Sequence, residues 1–128
     1  MALIDIDNFR AFNEDSYALG DAVLKEFSAF ITKVIPENAF FARFRFGDEF
    51  IIIFENTPLS TAEKQIAEIK QQCRDHSFEC LKPFPDHRLS FTEGLAELNA
   101  GHADIEKYLV TAEENLKKNK LNGANRMV

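Results

Sequence analysis

Phe40-Phe41-Ala42-Arg43-Phe44-Arg45-Phe46-Gly47-Asp48-Glu49-Phe50-Ile51-Ile52-Ile53-Phe54 reads as a β-hairpin. Phe40, Ala42, Phe44 and Phe46 point one way and Arg43 and Arg45 the other, the period-two pattern of a strand. Gly47-Asp48 supplies turn chemistry, and Ile51-Ile52-Ile53-Phe54 is apolar enough for a buried return strand. On either side of the hairpin the period changes. Val23, Phe27, Phe30 and Val34 lie at spacings of four, three and four, and Ala62, Ile66, Ile69 and Cys73 repeat them. Each set makes one apolar stripe on a helix suited to lying on a sheet.

Further out, Ala2-Leu3-Ile4-Asp5-Ile6-Asp7 reads as an opening strand with Asp5 and Asp7 on one face. A strand is expected from about Arg88 to Leu98, and a shorter one from Phe78 to Lys82. A third amphipathic helix carries Ile105, Leu109, Ala112 and Leu116. Arg126 to Val128 would add an edge strand. Pro36 closes the first helix, Pro58 and Ser60 open the second, and Gly123 is placed just past the third. The order β-α-β-β-α-β(β)-α-β is an α+β, ferredoxin-like plan with an antiparallel-rich sheet covered by helices. That plan hosts many activities, so function has to come from particular residues.

Bulk properties narrow the field. A chain of 128 residues suits one domain over its whole length, and 13 phenylalanines provide ample surface to bury. A net charge of -6 disfavours a nucleic-acid polymer as partner, because displacing counterions from phosphates needs a positive stripe. It leaves room for a single nucleotide, with a bound cation supplying positive charge locally. No apolar run reaches the roughly 20 residues of a membrane span, and there is no signal-peptide pattern. Two cysteines make no disulfide framework, so a reducing, cytoplasmic setting is expected. The spacing Cys73-x-x-His76-x-x-x-Cys80 superficially resembles a zinc pattern but offers three ligands and no obvious fourth. His87 and His102 read as solvated loop residues.

Acidic residues in the apolar first strand need an account, since an isolated buried carboxylate is costly. In a ferredoxin-like sheet the first strand lies beside the hairpin, which brings Asp5 toward Asp48 and Glu49. Such carboxylates repel unless a divalent cation joins them, and hard oxygen ligands favour Mg²⁺ or Mn²⁺. The competing explanation is an exposed acidic turn in which Asp5 and Asp7 cap the following segment.

Four separated segments resemble one family. Leu3 to Asn13, followed by Leu19 to Leu24, is similar to the GGDEF-domain pattern DIDxFKxxND…GDxxL. Gly47-Asp48-Glu49-Phe50 resembles the GGDEF loop, and Ser90 to Ala96 the strand SxxxGxA. Ala112-Glu113 through Lys120, Gly123, Asn125 and Arg126 follow AD…LxxAKxxGxNRV in register. The resemblance implies a nucleotidyl-cyclase palm and a diguanylate cyclase that joins two GTP into cyclic di-GMP. It implies that Asp5, Asp48 and the Ile6 carbonyl hold Mg²⁺ (or Mn²⁺), and that Glu49 helps deprotonate the 3′-hydroxyl. Asn13 and Asp21 would read guanine, and Arg10 and Lys120 would contact phosphates. Each domain of a homodimer would bring one GTP to a shared interface.

The departures also carry information. One loop glycine is either replaced by Phe46 or deleted, and a ring there would crowd a place where glycine lets phosphates approach. The stretch Asn13 to Asp21 is one residue shorter than the family pattern. Arg10 replaces a Lys, which keeps charge but not geometry, and Ala124 replaces an Arg. Glu37-Asn38-Ala39-Phe40 lacks the Arg-x-x-Asp motif of product inhibition, so no inhibitory product site is expected. No counterpart of the LTGLxNR helix precedes the first strand, which implies that part of the pocket and the link to a sensor domain lie outside this chain. These departures define the alternative reading, a degenerate GGDEF domain that binds GTP or cyclic di-GMP as a regulatory or interaction module.

Overall fold

The computed structural model describes residues 1–44, 47–98 and 105–126. Among these residues four strands form one sheet: β1 (Ala2–Ile6), β2 (Ala39–Arg43), β3 (Glu49–Phe54) and β4 (Phe91–Leu95). Their order is β2-β3-β1-β4, with every neighbouring pair antiparallel. This is the expected α+β, ferredoxin-like arrangement.

Alternation along β1 sorts the core into two layers. Ala2, Ile4 and Ile6 face α2 (Tyr17–Val34) and α3 (Leu59–Asp75), joining Phe27, Phe50, Ile52, Ile66 and Phe91. Met1 and Leu3 face the other way, toward Ala112 and Leu116 of α4 (Ile105–Arg126). The α2 and α3 stripes lie where the spacing puts them: Val23, Phe27, Phe30, Ala62, Ile66, Ile69 and Cys73 are all buried. The α4 stripe is buried at Ala112 and Leu116, but Ile105 at its start is 53% exposed.

Several expectations are corrected. Phe78 to Lys82 is no strand; Glu79–Leu81 form a single 3₁₀ turn. Phe78 is drawn inward against Phe30 and His76, and the Cys80 amide donates to the Glu26 carboxylate at 2.9 Å, so neither is available for sheet pairing. β4 is shorter than the segment expected from Arg88 to Leu98. A short helix, α1 (Phe9–Asp15), precedes α2, separated from it by the extended Ser16, whose hydroxyl caps α2 by accepting from the Leu19 amide at 2.9 Å. α4 runs through Gly123 to Arg126, so Gly123 does not end it and Arg126 does not begin a strand. Met127, Val128, Phe46 and His102 lie outside the described residues. His87 is not a freely solvated side chain: its ring packs 5.3 Å from Phe12 and 5.8 Å from Phe84.

Phe40 and Ala42 share a face, as alternation requires, and pair with Ile53 and Ile51 of β3. Phe40 is nevertheless 62% exposed, while Phe41 on the opposite face stacks on Phe50 at 5.3 Å. The reason is that α4 lies over β4 and β1 rather than over edge strand β2. Cys73 is buried, its thiol donating to the Leu89 carbonyl at 3.5 Å, and burial pushes its pKa up to about 12.

Candidate functional site

The acidic residues gather where β1 meets the β2–β3 turn. Register sets Asp5 directly opposite Glu49, so both side chains occupy the α4 face of the sheet. The Ile6 amide donates to the Asp48 carbonyl at 3.2 Å, fastening the turn to the end of β1. Arg43 steadies the same turn through Nη2, 2.8 Å from the Gly47 carbonyl. Gly47 has φ of +27° with open space where a Cβ would stand, so its backbone conformation rather than crowding favours glycine.

The α4 stripe of Ala112 and Leu116 continues one turn on to Lys120, whose ammonium pairs with Asp5 Oδ2. Two contacts set the register of α4 on β4. Asn115 Nδ2 donates to the Leu95 carbonyl and Asn119 Nδ2 to the Glu93 carbonyl, each at 2.7 Å. The helix can approach this closely only because residue 94 is glycine. A Cβ there would stand 2.0 Å from the Ala112 carbonyl oxygen and 2.4 Å from the Leu116 nitrogen.

Electrostatically the site is strained toward a cation. Burial, and then the neighbouring Asp5, raise the Asp48 carboxyl from 3.8 to about 6, against a smaller opposing pull from Lys120. Among the described residues Asp5 Oδ1 is buried with no hydrogen-bond partner. Among the described residues no three His, Cys, Asp or Glu side chains form a metal-holding group. Two carboxylates and a backbone carbonyl still suit Mg²⁺, which commonly takes one or two carboxylates and completes its shell with water and phosphate oxygens. The orphaned Asp5 oxygen and the reluctantly charged Asp48 are what such an ion would satisfy.

The raised pKa has a consequence for stability. Asp48 holds its proton to higher pH in the folded chain than in the unfolded one. Its contribution is therefore full below about pH 4 and lost as pH rises through about 6. Asp48→Asn keeps the shape and removes the charge. Without divalent metal, the variant is expected to exceed the wild type at pH 8 by about 1 kcal/mol, after allowance for solvent screening of a half-exposed group. At about pH 3.5, below the unfolded value, the two should converge. Thermal melts in chelator at both pH values check this.

A second group of expected residues lies on the α1–α2 side. Asn13 and Gly20 are in contact: a Cβ on Gly20 would fall 1.8 Å from Asn13 Oδ1. The short α1–α2 connection thus still brings Asn13 beside the Gly20-Asp21 step, with Asp21 exposed. Arg10 is exposed on α1, with no ion pair or hydrogen bond among the described residues. The Glu37–Phe40 segment enters β2, where Asn38 Nδ2 donates to the Glu55 carbonyl at 2.8 Å.

Sequence reasoning missed the role of Asp7. Its carboxylate accepts from Ser90 Oγ at 2.7 Å and Thr92 Oγ1 at 2.5 Å, tying the turn after β1 to β4. Asn8 in that turn has φ of 53°, a left-handed conformation asparagine tolerates. The signal was available, since Asp7 faces hydroxyls in Ser90-x-Thr92, but strand pairing had to be known first.

An antiparallel sheet with carboxylates meeting at the end of its first strand and the adjoining hairpin is the arrangement of a nucleotidyl-cyclase palm. Residues 1–126 match the family described as diguanylate cyclase, GGDEF domain, and the chain belongs to it. A diguanylate cyclase of Vibrio cholerae is 33% identical over 124 residues, covering 96% of this chain and 37% of its own length. The chain thus spans little more than a third of that relative. The active GGEEF domain of a diguanylate cyclase from Vibrio cholerae superposes with a TM-score of 0.80 at 32% identity, over 95% of this chain and 76% of that one. The GGDEF domain of DgcB from Caulobacter crescentus, solved with c-di-GMP, gives 0.82 at 25% identity, over 95% and 71%. Among the described residues no helix is long and apolar enough to cross a membrane.

Proposed function

We infer that this domain condenses two GTP into cyclic di-GMP, each of two copies presenting one nucleotide to the other across a homodimeric interface. The observation that carries the reading is the meeting of Asp5, Asp48 and Glu49 at one end of the sheet, with Lys120 delivered to them by α4. Asp5, Asp48 and the Ile6 carbonyl would hold Mg²⁺ or Mn²⁺, which when bound neutralises the triphosphate and polarises the reacting phosphorus. Glu49 accepts the 3′-hydroxyl proton as that oxygen attacks the α-phosphorus of the other nucleotide and pyrophosphate leaves. Asn13 and Asp21 hold the guanine, Asp21 accepting from the N1 and N2 donors that adenine lacks. Lys120 moves from Asp5 to the phosphates when the nucleotide arrives, and Arg10 adds charge from α1.

The absent loop glycine and Ala124 favour a second reading, a module that binds GTP or cyclic di-GMP without turnover. With GTP as the ligand, the cyclase reading requires metal-assisted binding. Calorimetry should find GTP bound at least 10-fold more tightly with Mg²⁺ than with chelator, and Asp48→Ala should lose most of that difference. Equal affinities with and without the ion would remove the basis of the metal assignment.

A further inference from the structure

Away from the acidic end, the end of α3 and the loop leading into β4 line an open cavity of 510 Å³. Its composition runs against the rest of the molecule. The chain has 21 acidic and 15 basic residues, yet among the described residues no Asp or Glu lines the cavity, while Arg74, Lys82 and Arg88 all do. Lys82 is neutralised by Glu79 at 2.7 Å. Arg74 and Arg88 have no ion pair or hydrogen bond among the described residues. Asp7, which borders the adjoining groove with Arg74, is committed to Ser90 and Thr92.

The walls are ordered by ring packing. The His76 ring lies 5.0 Å from Phe30 and 4.5 Å from Phe78, and the His87 ring is held against Phe12 and Phe84. Phe78 and Leu89 beneath them are buried. The combination is a mixed surface, half polar, that sets aromatic rings beside two guanidiniums, in the size range of small-molecule sites. Guanidinium forks match phosphate and carboxylate oxygens, and fixed rings receive a flat ligand without having to be ordered first.

We propose that this cavity is a binding site for a small aromatic anion, a phosphate or carboxylate carried on a flat ring. Arg74 and Arg88 take the anionic group, and His76, His87 and Phe78 the ring. The site shares no side chain with the acidic end. It contacts that end indirectly, because Ser90 in its lining donates to Asp7 and His87 packs on Phe12 of α1, the helix that carries Asn13. An occupant is therefore placed to influence the nucleotide-facing helix.

The probe for the test is phenyl phosphate, with inorganic phosphate and phenol as its two halves, followed through the His76 and His87 ring protons by NMR. Phenyl phosphate should saturate both signals with a Kd of about 1 mM, a reasonable value for a ligand of this size. Each half alone should bind at least 10-fold more weakly. The Arg74→Gln/Arg88→Gln double variant, its fold checked by circular dichroism, should weaken phenyl phosphate at least 10-fold. Lys82→Gln, in a cation already paired, should change it less than 2-fold. Unmoved histidine signals in the wild type, or an unchanged Kd in the double variant, would overturn the proposal. Because no guanine nucleotide is used, the outcome is independent of the cyclase reading.

Discussion

Glu49→Gln is expected to reduce cyclic di-GMP formation by about 10²–10⁴-fold while leaving GTP bound, the loss typical of removing a general base. The side chain opens β3 opposite Asp5, on the face that α4 also reaches. Glutamine keeps its size and most of its hydrogen bonding but cannot accept the 3′-hydroxyl proton at neutral pH. Single-turnover rates and calorimetry on the same preparation separate chemistry from binding. A rate within 2-fold of wild type would remove Glu49 from the mechanism, and a parallel loss of GTP affinity would make it a binding residue instead.

Gly94→Ala tests the scaffold that delivers Lys120. The added methyl would meet backbone atoms of Ala112 and Leu116 at 2.0 and 2.4 Å, and backbone cannot rotate aside as a side chain can. Relief requires α4 to lift from β4, stretching the Asn115 and Asn119 hydrogen bonds and drawing Lys120 from Asp5. A cost of about 3 kcal/mol is expected, at the upper end for overpacking, or a drop in Tm of roughly 10 °C. Differential scanning calorimetry reads this directly. A drop under 2 °C would mean that α4 is held less closely than these distances require.

The parts of this fold governed by short-range periodicity were open to sequence reasoning. The hairpin, the α2 and α3 stripes and the first strand follow from spacings of two, three and four, because each element buries one face. The errors fall where tertiary contacts overrode local pattern. Phe78 to Lys82 has strand-like residues, but Phe78 is claimed by Phe30 and His76, and Cys80 by Glu26. Ile105 fits the α4 stripe, yet the helix begins beyond the sheet it covers. Phe40 lies on the expected face but outside the reach of α4.

In the site, the meeting of Asp5 with Asp48 and Glu49 could be anticipated from hairpin topology. The Lys120–Asp5 pair spans 115 residues and two elements. No local signal predicts it. It depends on the helix register that Asn115, Asn119 and Gly94 set, and those three only acquire meaning once β4 is known to lie beneath α4.

The measurement closest to the central claim is chromatography of the purified chain incubated with GTP and Mg²⁺ over a range of protein concentrations. Cyclic di-GMP should form at a rate per chain that rises with concentration, since two copies must meet. A coiled coil fused ahead of Ala2 should raise the rate further by increasing effective concentration. If the fused protein binds GTP yet yields neither cyclic di-GMP nor its linear precursor at any concentration, the cyclase reading is contradicted and the binding-module reading stands in its place.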